Sequence, residues 1–376
     1  MKYCTKCVMP DTRPGIQFNE EGICYPCVNA EKQKQVNWSQ RRKKLQQLCN
    51  KYRRSDGKYD CVIPASGGKD SFFQTYIMKE EMKMHPLIIK VCDSYTPTQT
   101  GLKNLFMMCD MFDVDLFTFH LKHATLRKMT RIGFEELGIL NWGVDLGIYS
   151  IPLKLAHQMN IPLIVYGENI SYMYGGPYAE ETYSAKTQIK NNVVRPIDME
   201  WWKKQGISQE DIKMVMYPSE TIVEQLEPVY LSYFYEWSGK KNYEHAMQHG
   251  FQDCSQEWDR KGFIENYDQI DSIGYLLHPW MKYPKFGHAR VTDVCCYLIR
   301  DGIMDRETAI RLVKEYDHVL DPRVLEDFLR FTGYSYKEFY SILDRWYNPS
   351  LFKKQDGSWM PLFTVGENTE EGMYES

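Results

Sequence analysis

The sequence predicts an α/β protein: a parallel sheet covered on both faces, preceded by a cysteine-rich module and followed by a helical region. Three observations carry this. Short apolar runs alternate with helical patterns from residue 59 onward, two C-x-x-C pairs lie near the amino terminus, and residues 290–346 read as helices.

The first module spans residues 1–30. Cys4, Cys7, Cys24 and Cys27 form the pairs CTKC and CYPC, sixteen residues apart. That spacing closes two knuckles around one tetrahedral S4 site, which suits zinc, although an iron–sulfur centre takes the same ligands. Four protein ligands leave no open position, so the metal is expected to be structural. The odd total of eleven Cys argues against a disulfide framework. The opening MKYCTKCVMPDTR lacks the apolar centre of a signal peptide, and no apolar run reaches membrane-span length, so a cytoplasmic location is expected. Forty-six Lys and Arg against fifty Asp and Glu give a formal charge of -4, which disfavours an extended nucleic-acid surface.

Residues 31–58 are basic, with Arg41, Arg42, Lys43 and Lys44 interleaved with Leu45 and Leu48. They read as a linker helix, or alternatively as a helix for RNA or phosphate. The core is placed at 59–180. Strands are expected at 59–65, 87–92, 116–121 and 161–166, with helices at 71–83, 98–111, 124–138 and 146–159. In parallel sheets ligands bind beyond the carboxyl ends of the strands. Ser66 to Ser71 follow the first of these strands, Asp93 and Ser94 the second, and Gly167-Glu168-Asn169 the fourth.

Residues 181–282 break the alternation and read as an insertion facing the substrate. Residues 283–376 read as a helical region, in which DRETAIRLVKEYD and DPRVLEDFLRF each begin at an Asp cap.

The stretch YDCVIPASGGKDSFF places Ser66-Gly67-Gly68-Lys69-Asp70-Ser71 between a strand and a helix. Two glycines let backbone N–H groups converge, the helix adds the positive end of its dipole, and two hydroxyls and a lysine complete a phosphate cradle. The spacing is neither that of a Walker loop nor that of the dinucleotide fingerprint.

SGGKDS resembles the S-G-G-x-D-S loop of the N-type ATP pyrophosphatases, whose adenine nucleotide alpha hydrolase-like fold is the parallel doubly wound sheet expected here. The resemblance implies ATP and Mg2+ as cofactors. It implies that Ser66, Gly67, Gly68, Lys69 and Ser71 bind ATP phosphates, that Asp70 helps hold magnesium, and that Asp93 and Ser94 lie near adenosine. GENISYMYGG, residues 167–176, and KFGHARVTDVCCYLIRDGIMDRETAIRLVKEYD, residues 285–317, resemble paired motifs of the N-acetyl sugar amidotransferases of lipopolysaccharide and flagellin sugar biosynthesis. That family's reaction converts an acetamido group on a UDP-linked sugar, such as a diacetamido uronic acid, into an acetamidino group.

Within that reaction Glu168 and Asn169 could orient the amide or accept a proton, although Glu168 could equally stabilise its loop. Lys285 and Arg290 could neutralise phosphates or form salt bridges, and Tyr172, Tyr174, Gly175 and Gly176 could line the sugar site. No glutaminase nucleophile is visible. The resemblance therefore implies a separate glutaminase, similar to the glutaminase and cyclase pair of imidazole glycerol phosphate synthase. The rival reading is a tRNA-thiolating enzyme with the same loop, but such enzymes carry catalytic or cluster-binding Cys in the core, and residues 141–145 contain none.

Overall fold

The computed structural model describes residues 1–176, 181–188 and 197–369. Five parallel strands form the main sheet among these residues: β1 (Cys61–Pro64), β2 (Pro86–Cys92), β3 (Asp115–His120), β4 (Leu163–Tyr166) and β5 (Glu227–Tyr230). Their spatial order is β3-β2-β1-β4-β5. The order therefore reverses between β1 and β4, whose register pairs Cys61 with Leu163 and Val62 with Ile164. Side chains alternate across a strand, so Cys61 and Ile63 enter one core while Val62 enters the other. The first core is filled by Phe72, Leu105, Met108 and Phe234, the second by Leu153 and Ala156. Both faces are covered, as a parallel sheet of near-continuous apolar strands requires.

The four expected strands and their helices are present, with shifts at the ends. The helix after β1 is Lys69–Tyr76 and then widens into a π turn at Ile77–Glu81, where Met82 N donates to Ile77 O at 2.9 Å. The fifth strand differs from the sequence reading. Glu227–Tyr230 lies inside the stretch read as an insertion, yet it pairs with β4 and contributes Val229 to the core. Pro228 and the aromatic run behind it hide its alternation.

The basic helix Trp38–Tyr52 uses its charges on that aromatic run. The Arg41 guanidinium lies 4.2 Å from the Tyr233 ring and donates to Tyr233 O at 3.0 Å, and Lys44 Nζ lies 4.6 Å from the Tyr183 ring. Leu45 and Cys49 are buried against the sheet.

The amino-terminal module packs far along the chain. Cys4, Cys7, Cys24 and Cys27 share a core with Val291, Cys295, Ala309 and Val313 from the helices Arg290–Arg300 and Arg306–Tyr316. The helical expectation for 290–346 holds, including both Asp caps. Asp305 accepts from Thr308 N at 2.8 Å; Asp321 accepts from Arg323 N at 2.8 Å and also from Lys261 N at 2.7 Å. Asp321 is buried whereas Asp305 is exposed. Asp321→Ala should therefore cost ~2 kcal/mol in urea unfolding and Asp305→Ala only ~1 kcal/mol, because the first also loses the part-buried bond from Lys261 N.

Candidate active site and metal centre

A cavity of about 820 Å³ opens where the strand order reverses. This is the crevice in which an open α/β sheet takes its ligands. The loop after β1 forms one part of its wall. Gly67 has φ +97°, and a Cβ there would lie 2.7 Å from Leu105 Cβ, so the turn needs glycine at that position. Ser71 Oγ accepts from Ser66 N at 3.0 Å, and Ser66 Oγ accepts from Gly68 N at 3.3 Å. Lys90 of β2 holds the loop from behind, donating to Ser66 O at 2.9 Å.

Lys69 is buried, and its ammonium donates to Asp70 at 2.6 Å and to Asp268 at 2.9 Å. The other Asp268 oxygen pairs with Arg290, while Asp70 also accepts from Asn242 at 2.7 Å. Glu168 follows β4 and accepts from the Tyr174 hydroxyl. Burial, then the nearby Asp70 carboxylate, push the Glu168 carboxyl up to about 7. Asp145 also lines the cavity, and burial pushes it up to about 7 although it accepts from the Tyr275 hydroxyl at 3.0 Å.

Of the residues singled out in the sequence, Ser66, Gly68, Lys69, Asp70 and Ser71 line this cavity. So do Glu168, Tyr172, Tyr174, Gly175, Lys285 and Arg290. The others lie behind it. Gly67 shapes the loop from below. Asn169 is buried and its side chain caps the helix Ile170–Tyr174 by accepting from Tyr172 N at 3.3 Å. Asp93 is tied to Ser272 by a 2.6 Å hydrogen bond, and neither it nor Ser94 reaches the cavity wall. Gly176 packs on Ser171, 2.6 Å from where its Cβ would stand to Ser171 Oγ. Arg290 makes the salt bridge foreseen for it, while Lys285 instead donates to Gly138 O at 2.7 Å. Asp268, Asn242, Asp145, Lys282, His288 and Arg13 were not foreseen: His288 lies within the 285–317 motif but was given no role there, and the others are single polar residues outside the motifs singled out.

The four cysteines at the amino terminus could hold one metal ion. All are buried, and their sulfurs lie within 4.8 Å of one another. Cys7 and Cys24 sulfurs are 3.7 Å apart. Tetrahedral zinc with bonds of about 2.3 Å places its sulfurs about 3.8 Å apart, so the set fits one zinc and is too tight to surround a polynuclear cluster. Cys7 N and Cys24 N donate to Cys4 Sγ at 3.4 and 3.3 Å, which favours a thiolate there. Purified protein should contain about one zinc per chain by elemental analysis. Cys24→Ser, or prolonged chelation, should release it and lower the melting temperature, because metal binding and folding of such a module are coupled.

Three similarities to known proteins accompany this geometry. Residues 255–365 match the family model described as "LPS biosynthesis protein WbpG-like, C-terminal domain". An uncharacterized protein of Methanocaldococcus jannaschii is 27% identical over 124 residues, a match that covers 33% of this chain and 44% of that protein. The chain thus spans less than half the length of this curated relative. Among solved structures, NH3-dependent NAD synthetase from Campylobacter jejuni, in complex with the nitrate ion, aligns at 15% identity with a TM-score of 0.31, covering 58% of this chain and 98% of that one. Asp268, Lys282, Lys285, His288, Arg290 and Asp293, all on or beside the cavity, fall within the matched segment. The match over 255–365 supports the resemblance to the sugar amidotransferases of lipopolysaccharide biosynthesis drawn from the sequence, and this segment is similar to the C-terminal domain of the WbpG-like proteins.

Proposed function

We propose that this protein is an ATP-dependent amidotransferase that converts an acetamido group of a UDP-linked sugar, such as a diacetamido uronic acid, into an acetamidino group for lipopolysaccharide synthesis. The observation that most supports this reading is the opening of the Ser66–Ser71 loop and Glu168 into one cavity, part of whose wall comes from the segment similar to the WbpG-like domain.

An amide carbonyl is a poor electrophile with a very poor leaving group. Its oxygen attacks the α phosphate of ATP, pyrophosphate leaves, and an O-adenylyl imidate results. Ammonia then adds to the imidate carbon and loses a proton, and AMP departs with the original oxygen. The Ser66–Ser71 backbone, the serine hydroxyls and Lys69 would hold the phosphates. Magnesium would offset the charge on the departing pyrophosphate; Asp70, a hard oxygen donor on the cavity wall, suits it. Glu168 would take the proton from the incoming nitrogen, and a carboxyl with a pKa near 7 is matched to that task at neutral pH. Tyr172, Tyr174 and Gly175 would line the sugar site.

None of the eleven cysteines lines the cavity, which favours amidation over thiolation and leaves ammonia to a separate glutaminase. We place 1–30 as the metal module, 31–58 as linker, 59–180 together with β5 as the nucleotide-binding core, the rest of 181–282 as the substrate-facing segment and 283–376 as a mainly helical region that ends in the hairpin Phe352–Gln355 and Ser358–Pro361, in the cytoplasm.

Incubation with ATP, magnesium, ammonium and a UDP-linked diacetamido uronic acid should give sugar-dependent AMP and a product in which NH replaces one oxygen. Formation of ADP would rule the reading out, and AMP formed only with tRNA and a sulfur donor would favour thiolation. High ammonium should support turnover without a partner protein; strict dependence on a glutaminase at high ammonium would contradict this.

Glu168→Gln should lower kcat by about 10²–10⁴-fold. As a base Glu168 must be ionised, so wild-type kcat should rise with pH through about 7. The same upward shift means that folding favours the protonated form. The wild type should therefore lose stability relative to Glu168→Gln as pH rises from the ordinary value of 4.5 through about 7, seen as a melting-temperature gap that widens with pH.

A further inference from the structure

A second part of the cavity wall carries more positive charge than its partners absorb. Arg13 Nη1 donates to Asp293 Oδ1 at 2.9 Å, and Lys282 Nζ pairs with the other oxygen of the same carboxylate. Lys285, three residues on from Lys282 on the short helix Lys282–Phe286, donates to the neutral acceptor Gly138 O and lies 5.2 Å from the Phe286 ring, with no carboxylate partner among the described residues. Arg13 and Lys282 thus share one carboxylate, and no ion pair to Lys285 is found among the described residues. Burial, then Lys282, lower the Lys285 ammonium to about 8, a mark of charge held without sufficient compensation.

His288 stands among them. It lines the cavity, is 1% exposed, and among the described residues neither of its ring nitrogens has a hydrogen-bond partner. A buried imidazole has a donor and an acceptor to satisfy, so two orphan nitrogens on a cavity wall point to a ligand that supplies their partners. The backbone N–H groups of the residues that follow it are already engaged. Asp317 already takes the N–H groups of Ala289 and Thr292, at 2.7 and 3.1 Å, where the helix Arg290–Arg300 begins. Among the described residues no hydrogen bond or ion pair joins Arg13, Lys282, Lys285 or His288 to Ser66–Ser71.

We propose that Arg13, Lys282, Lys285 and His288 form a subsite for the diphosphate of the nucleotide-linked substrate, separate from the loop that receives the phosphates of ATP. The assignment rests on the sugar-nucleotide reading above. A diphosphate brings at least two negative charges and several acceptor oxygens, which matches the uncompensated charge; a carboxylate brings one charge. Arg13 lies between the two cysteine pairs, so the metal module supplies part of this subsite.

Uridine diphosphate is the probe, titrated calorimetrically into the full chain. Lys282→Met and His288→Gln should each weaken its binding by about tenfold or more while ATP affinity stays within about twofold. Ser71→Ala should do the reverse, and Lys285→Arg, which keeps the charge, should retain uridine diphosphate binding within about threefold. Unchanged affinity in folded Lys282→Met and His288→Gln overturns the proposal, as does competition between ATP and uridine diphosphate for one site. Preference for glucuronate over uridine diphosphate would reassign the subsite to a carboxylate and also overturn it. If the binding results are as expected but no UDP-linked sugar yields AMP, the amidotransferase reading fails while the subsite stands.

Discussion

The carboxylate of Asp268 is the group on which the candidate site depends. Lys69 is almost fully buried, and a buried ammonium is costly unless paired and hydrogen-bonded. Asp268 supplies one partner and joins the same lysine to Arg290. It is itself held firmly: its N–H donates to Glu265 at 2.8 Å and its carbonyl accepts from Arg260 at 2.9 Å. The phosphate-cradle lysine and the first residue of the helix Arg290–Arg300 are therefore fixed relative to each other through one side chain. Replacing that carboxylate by an apolar group would leave Arg290 without its carboxylate and Lys69 with Asp70 alone, and an unpaired buried charge is of the kind that costs ~3–5 kcal/mol.

The sheet explains why these groups meet where they do. With β1 and β4 adjacent and the strand order reversing between them, the loops that leave both strands open on the same side. The Ser66–Ser71 loop and Glu168 come from those two strand ends. The rest of the wall comes from segments with no role in the sheet, including Arg13 before it and residues 268–301 after it. The sheet thus sets the position of the Ser66–Ser71 end of the cavity, and the peripheral segments set its charge elsewhere.

How much was legible in the sequence follows from the range of the pattern each part relies on. β1 to β4 are apolar runs bounded by polar turns, and the Ser66–Ser71 loop has a fixed local spacing, so both could be read directly. β5 could not, because four residues containing Pro228 give no usable alternation and the following Tyr233 and Tyr235 pack under the cations of the helix Trp38–Tyr52. Asp268 and Asn242 act on Lys69 and Asp70 across 199 and 172 residues, as isolated polar residues in unremarkable surroundings. Asn169 shows a local use that its place after β4 does not reveal: its side chain caps the helix Ile170–Tyr174.

The contact between the two ends of the described chain bears on the order of assembly. The Met1 ammonium donates to Thr369 Oγ1 at 2.7 Å, Thr369 N donates to Met1 O at 3.0 Å, and Tyr3 N donates to Asn368 at 2.8 Å. On the ribosome the first thirty residues emerge early, and their four thiols can close on a metal using local sequence alone. The surface that buries this module, with Val291, Cys295 and Val313, is synthesised almost 300 residues later. At ~5–20 residues per second the module waits tens of seconds before its docking face exists, so a thiol cluster already filled by its metal is protected from oxidation and mispairing throughout that interval.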